Sequence, residues 1–133
     1  MKRKNLLLII ILAVLILLAG IGYTVWSSLQ DNLNQLDSLS IGSINLQTIA
    51  DGTYTGHYSA FPVTATVVVT VKEHAISAIQ LTEHNNGQGQ PAERITDDVL
   101  AAQSLDVDVV AGATYSSKVI LKAIETALSP GGQ

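Results

Sequence analysis

Residues 63–81 read VTATVVVTVKEHAISAIQL, and the period of this stretch decides what kind of domain surrounds it. Val63, Ala65, Val67, Val69 and Val71 fall on one side of an extended chain, with Thr64, Thr66, Val68, Thr70 and Lys72 on the other. A period of two built from β-branched residues is the pattern of a strand with one face in a core. Glu73-His74 then makes a short turn, and AISAIQL returns as the hairpin partner. A turn this short demands positive φ, which His tolerates better than most residues other than glycine.

Outward from this hairpin the pattern stays that of a small α+β domain. Upstream, DGTYTGHYSA (51–60) alternates Tyr54, Gly56 and Tyr58 with Thr53, Thr55 and His57, which predicts a further strand. Downstream, EHNNGQGQ (83–90) is a polar, glycine-containing loop, and Pro91 suits the first turn of a helix carrying Ile95, Val99 and Leu100. SLDVDVVAG (104–112) is a short extended link. A last helix places Val119, Ile120, Ala123, Ile124, Ala127 and Leu128 on one stripe and stops at Pro130-Gly131-Gly132. The expectation is a small antiparallel sheet packed with two helices over 51–128, followed by a flexible tail at 129–133. A core of that size is modest, so a bound cofactor would add to its stability.

The N-terminal part obeys different rules. Lys2, Arg3 and Lys4 precede an uncharged run from Leu6 to Trp26, 21 residues long. At about 1.5 Å per residue it spans a hydrocarbon core of about 30 Å. A cleaved signal peptide is the competing reading, but its apolar region is usually only about 7–15 residues, ended by a small-x-small site. Gly22-Tyr23-Thr24-Val25-Trp26 is a poor cleavage site, and Tyr23 and Trp26 suit an interface, so a retained anchor over 1–26 is favoured. The basic end then stays in the cytoplasm and everything beyond Trp26 lies outside, at the cell membrane. Residues 27–50 form a stalk or linker, in which Leu29, Leu33 and Leu36 fit either a helix continuing the span or a solvated spacer.

Composition removes several kinds of chemistry. The chain has no cysteine, which excludes disulfides, thiolate metal sites, thioether-linked haem and a lipidated N-terminal cysteine. Beyond Trp26 four basic residues stand against eleven acidic ones, a net of −7, and such a domain repels phosphate backbones. Nucleic acid is therefore not an expected partner. His57, His74 and His84 show neither i, i+4 spacing nor an HExxH arrangement, so they read as surface or loop residues and no metal site is expected. Asp97-Asp98 and Asp106/Asp108 match no calcium loop, and Ser116-Ser117 lack the setting of a nucleophile elbow.

AGATYSS (111–117), at the mouth of the last helix, is what remains. Gly112 allows a tight turn, Ala113 leaves the surface open, and Thr114 stands at or just before the first helical turn. There its hydroxyl can cap free N–H groups. The same N–H groups and the positive end of the helix dipole also make a phosphate site. Pattern alone leaves both readings standing.

DVDVVAGATYSS (106–117), followed by an Ala- and Ile-rich helix, resembles the FMN-binding domain family. That family includes the covalently flavinylated subunits of sodium-pumping quinone reductases and related membrane-anchored electron carriers. DGTYTGHY and the Val-rich hairpin resemble its first strands, so the likeness runs from about Asp51 to Leu128. Its most specific part is an Asp, two variable residues, then a small residue followed by Gly-Ala-Thr. The resemblance implies that Thr114 is joined through a phosphoester to FMN by an extracytoplasmic flavin transferase that uses FAD. Asp108 matches the acidic residue the transferase recognises, and Gly112-Ala113 the small pair. Ala111 stands where the family often has Ser or Thr, and His74 where the hairpin turn often has Gly.

The flavin ring needs an apolar or aromatic surface. Tyr115 is adjacent to Thr114, and Tyr54, Tyr58 and Phe61 are candidates from the first strand, although core packing is the commoner role for each aromatic. Ser116 and Ser117 lie beside the acceptor, and His84 and Gly87, placed in the polar loop, could approach the ring or the phosphate. The resemblance implies an electron-transfer component, not an independent enzyme, working with a membrane reductase or a quinone-linked partner. A reversible FMN carrier or sensor, or an interaction module without cofactor, are the alternatives.

Overall fold

The alternation over residues 63–72 becomes strand β2 (Val63–Lys72), whose inward side chains Val63, Ala65, Val67, Val69 and Val71 are all buried. The computed structural model describes residues 3–85 and 87–129 and divides into two compact units, Met1–Gln35 and Leu36–Gln133.

In the first unit the uncharged run lies within helix α1 (Arg3–Asp37), and its apolar side chains from Leu6 to Trp26 face outward on every side. A helix apolar all round needs an apolar medium. The stretch Arg3–Asp31 is long and apolar enough to cross a membrane. The backbone stays helical to Asp37, so the helical reading of residues 29–36 is the one adopted.

The second unit is an antiparallel meander in the order β1-β2-β3, with β1 spanning Gly52–Ala60 and β3 spanning Ala75–Asn85. Helices α2 (Ile95–Ala102) and α3 (Thr114–Leu128) cover one face of it. β1 and β2 meet at Phe61-Pro62, whose peptide is cis. β2 and β3 meet at Glu73-His74, both in the left-handed region at φ 52° and 61°. Positive φ at both positions of a two-residue hairpin turn matches the right-handed twist of the strands. Asp51 Oδ1 accepts the Glu73 N–H at 2.8 Å, fastening this turn to the start of β1.

β3 departs from simple alternation. Its register slips once between Thr66 and Val67 of β2, and again between Thr70 and Val71, leaving Thr82 and Ser77 as extra residues. Each extra residue donates its hydroxyl to a β2 carbonyl: Thr82 to Thr66 and Ser77 to Thr70, both at 3.1 Å. The two bulges bring Ile76, Ile79, Leu81 and His84 to the core side of β3, opposite Val71, Val69, Val67 and Ala65. That outcome corrects the assignment of His84 to the polar loop, since β3 extends to Asn85.

Gln103 closes the outer edge of β3. It sits in the left-handed region at φ 53° as the C-cap of α2, and its side-chain amide accepts from Ile76 N (2.7 Å) and donates to Ile76 O (2.9 Å). An otherwise unpaired stretch of edge backbone is satisfied in this way. Pro91, expected in the first turn of α2, belongs to a separate 3-10 turn, Gln90–Arg94, that leads into it.

α3 lies across β1 and β2, with the whole predicted stripe buried. Residues 39–49, read from sequence as part of the stalk, bring Leu39, Ile41, Ile44, Leu46 and Ile49 against the core. They are single apolar residues at irregular intervals, so no period announces them.

Candidate functional site

The site is built around the turn before α3. Ala113 N donates to Val110 O at 2.9 Å, and Gly112, third of the four residues, has φ 78°. That is the geometry of a type II turn, which requires positive φ at its third position. A Cβ on Gly112 would meet nothing within 4 Å, so the requirement is one of backbone conformation and not of space.

Ser117 holds the turn from beneath. Its hydroxyl accepts the Val110 N–H at 3.0 Å and donates to Ala113 O at 2.8 Å, and Ala113 O also receives Ser117 N at 2.9 Å. Ser116 and Ser117 are both buried, so the spare hydroxyls near Thr114 point inward, and that of Ser117 is taken up by the turn. This role was missed in the sequence, where the two serines look alike and equally available.

Thr114 is the first residue of α3, and the N-cap position belongs to Ala113, with no side-chain cap hydrogen bond. The capping role expected of Thr114 is thereby corrected: a cap must stand one residue earlier, in non-helical backbone. Thr114 is exposed, and its hydroxyl makes no hydrogen bond to another described residue. The helix behind it is 15 residues long, enough to present a full set of first-turn N–H groups and the positive end of its dipole. An unengaged hydroxyl at that place suits a phosphoester, whose remaining negative charge the helix end stabilises.

Tyr115 points another way. Its hydroxyl donates to Phe61 O at 2.8 Å and to Ala60 O at 3.2 Å, tying α3 to the β1–β2 turn. Burial, and secondarily the nearby Tyr58, pushes the Tyr115 phenol above its ordinary value. Tyr58, Phe61 and Tyr115 are thus brought together, with Tyr58 half-buried and Phe61 exposed. Tyr54 is four residues back along β1, roughly 13 Å at the rise of a strand, and bonds Ala50 O at 2.7 Å.

His84 has a different neighbourhood. Its ring is buried on the core side of β3, and its Nδ1 lies 3.0 Å from Glu93 Oε1 of the 3-10 turn. Gly87 is exposed at φ 56°, with open space around it. Asp108 is exposed on the link before the turn, six residues ahead of Thr114. His57 lies on the outer face, where its Nδ1 is 3.0 Å from Thr66 Oγ1. Among the described residues no group of three or more His, Asp or Glu side chains is placed to hold a metal ion.

A groove of about 360 Å³ opens beside α3. Ile41 to Ser43, the link residues 104–107 with Val109, and Lys118 and Leu121 of α3 form its walls. Nothing in the sequence signals it, because one wall comes from the stretch read as stalk.

The sequence profile of the FMN-binding domain matches residues 61–129, from the β1–β2 turn to the end of α3. NADH:acrylate oxidoreductase of Vibrio harveyi is 36% identical over 80 residues, which is 58% of this chain and 8% of that protein. The chain therefore spans only a small part of that much longer protein. With more than half of its residues matched to the profile, the glycine turn and the helix mouth included, the chain belongs to the FMN-binding domain family.

Proposed function

We propose that this protein is a membrane-anchored electron carrier whose folded unit lies outside the cytoplasm and holds FMN covalently on Thr114. The observation that carries the reading is the state of Thr114: an exposed hydroxyl without a hydrogen-bond partner among the described residues, at the first position of α3, in a chain of this family. Attachment forms a Thr114 Oγ1–phosphorus bond while the P–O–P bond of FAD breaks, AMP departs, and the hydroxyl proton passes to the transferase or its leaving group. Asp108, exposed on the approach to the turn, is the residue for a transferase to grip.

The chain's own parts then have separate tasks. Gly112 and Ser117 hold the turn, so that Thr114 is presented in one conformation. The mouth of α3 stabilises the phosphodiester charge. The bound flavin supplies one- or two-electron exchange, and the protein orients it and sets its surroundings. α1 confines the domain to a membrane surface and raises its effective concentration near a reductase or a quinone-linked partner. Lys2-Arg3-Lys4 favour a cytoplasmic N-terminus.

The test is expression of the full chain with a flavin transferase, followed by intact mass, visible spectrum and flavin fluorescence in a denaturing gel. The expected result is a mass increase of one FMN, lost in Thr114→Ala and kept in Thr114→Ser. Flavin that survives denaturation in Thr114→Ala would overturn the attachment site. Flavin released from the parent protein by denaturation would favour a reversible carrier.

A further inference from the structure

Helix α1 runs on for eleven residues after the apolar run, from Ser27 to Asp37, and only Leu29, Leu33 and Leu36 among them are apolar. The rest are Ser, Gln, Asn and Asp. Followed back into the apolar run, the same alternating steps of three and four reach Trp26, Gly22 and Ala19. Such steps average 3.5 residues, the repeat of a left-handed coiled coil, whereas a single straight helix repeats at 3.6. The line stops with the helix. Its next step falls on Ser40, and Leu39, the first described side chain to pack on the core of the folded unit, is off it.

Within a bilayer lipid satisfies every apolar side of a helix, so the informative part of this line lies beyond Trp26. There the leucines face water, and about three turns of helix are marginal in water without packing. Taking Leu29 and Leu36 as d and Leu33 as a puts Gln30 and Asp37 at e, Asn32 at g, and Asp31 at f, farthest from the seam. In a parallel pair a g residue faces the e residue of the following heptad. Asn32 then meets Asp37 of the second copy, and no carboxylate faces another. Ala19 and Gly22 fall on the same line, where small residues let two backbones approach inside the bilayer.

We propose that α1 pairs with α1 of a second copy of this chain, as a parallel two-stranded coiled coil seamed by Leu29, Leu33 and Leu36. Copies inserted in one membrane share an orientation, which makes their helices parallel. Their apolar runs lie at equal depth, so each leucine meets its own counterpart and the register is set. A helix of another protein would need the same 3.5 repeat at the same depth, and a second copy has both by identity. Confinement to the bilayer raises the effective concentration, so a short seam is enough. Pairing brings two folded units, and two Thr114 hydroxyls, into one assembly. The inference depends neither on flavin attachment nor on which side of the membrane those units lie.

The chain has no cysteine, so a single cysteine introduced in α1 is its only thiol. Full-length variants are reconstituted at low density in phosphatidylcholine–phosphatidylglycerol vesicles, oxidised with copper phenanthroline and resolved on a non-reducing gel. Leu29→Cys, Leu33→Cys and Leu36→Cys should form the dimer-mass product severalfold faster than Ser28→Cys, Asp31→Cys and Gln35→Cys. Adding Leu29→Glu and Leu36→Glu should slow crosslinking through Leu33→Cys severalfold and leave the thermal transition of the folded unit in place. Equal crosslinking at all six positions, as random collision gives, or crosslinking at none, overturns the pairing. Faster reaction at Ser28, Asp31 and Gln35 overturns the seam and the pairing with it. Seam cysteines that crosslink only in native membranes, to a product other than twice the chain mass, assign the seam to a different protein and overturn self-association.

Discussion

The hydroxyl of Ser117 stands 3.0 Å from the amide nitrogen of Val110, seven residues earlier, and joins the first full turn of α3 to the turn that presents Thr114. One side chain therefore serves as acceptor for a buried N–H and as donor to the Ala113 carbonyl. Ser117→Ala removes both bonds and leaves the Val110 N–H buried without a partner, at a cost of about 1–3 kcal/mol. Denaturant unfolding of the full chain should show this loss. Flavin loading by the transferase should slow as well, since the acceptor turn is no longer held.

Thr114→Ala should be nearly silent in the same unfolding measurement, within about 0.5 kcal/mol of the parent. The hydroxyl of Thr114 bonds nothing among the described residues, and Ala113 holds the cap position. A loss of about 1 kcal/mol, the usual cost of deleting a cap, would restore the capping role that this geometry denies.

Gly56 of β1 lies where α3 presses closest to the sheet. A Cβ there would collide with the Ala123 carbonyl oxygen and lie 2.6 Å from Ala127 N, and backbone atoms cannot step aside. Gly56→Ala should lift α3 from β1 and lower stability by about 1–3 kcal/mol or more. Thermal unfolding with Thr55→Ala as control checks it, because Thr55 is exposed on the other face of the strand.

Tyr115 gives a pH dependence with a definite sign. Its phenol titrates higher in the folded chain than in the unfolded one, chiefly through burial and then through Tyr58. The protonated form is therefore favoured by folding. Its stabilising contribution is complete below the unfolded value of about 10 and is lost as pH rises through the folded value. Stability measured toward alkaline pH should fall less steeply in Tyr115→Phe than in the parent, although the variant starts lower for want of its bonds to Phe61 and Ala60. Parallel slopes would remove Tyr115 from the account.

External protease on intact cells or spheroplasts should digest the chain beyond Trp26, as expected from the basic residues ahead of the apolar run. Protection of that region, under conditions that digest a known external control, would reverse the proposed topology.

The sequence by itself determined the parts of this protein that rest on a regular period. The buried face of β2, the stripe of α3 and the length of the apolar run in α1 follow from repeats of two, of 3.6, and from the absence of charge. The Glu73-His74 turn and the need for Gly112 were legible because short turns restrict φ. Tertiary structure alone decided where periods break or where contacts join distant residues. The bulge at Thr82 in β3 moved His84 to the core face, which simple alternation from Leu81 would have denied it. Gln103 found the edge of Ile76 across 27 residues, and Ser117 rather than Ser116 became the brace because only its hydroxyl meets Val110 and Ala113. Ile41 gained a place in the groove wall only when residues 39–49 folded back on the core. A local pattern records which face of its own element a residue occupies, and which distant element meets that face is set by packing.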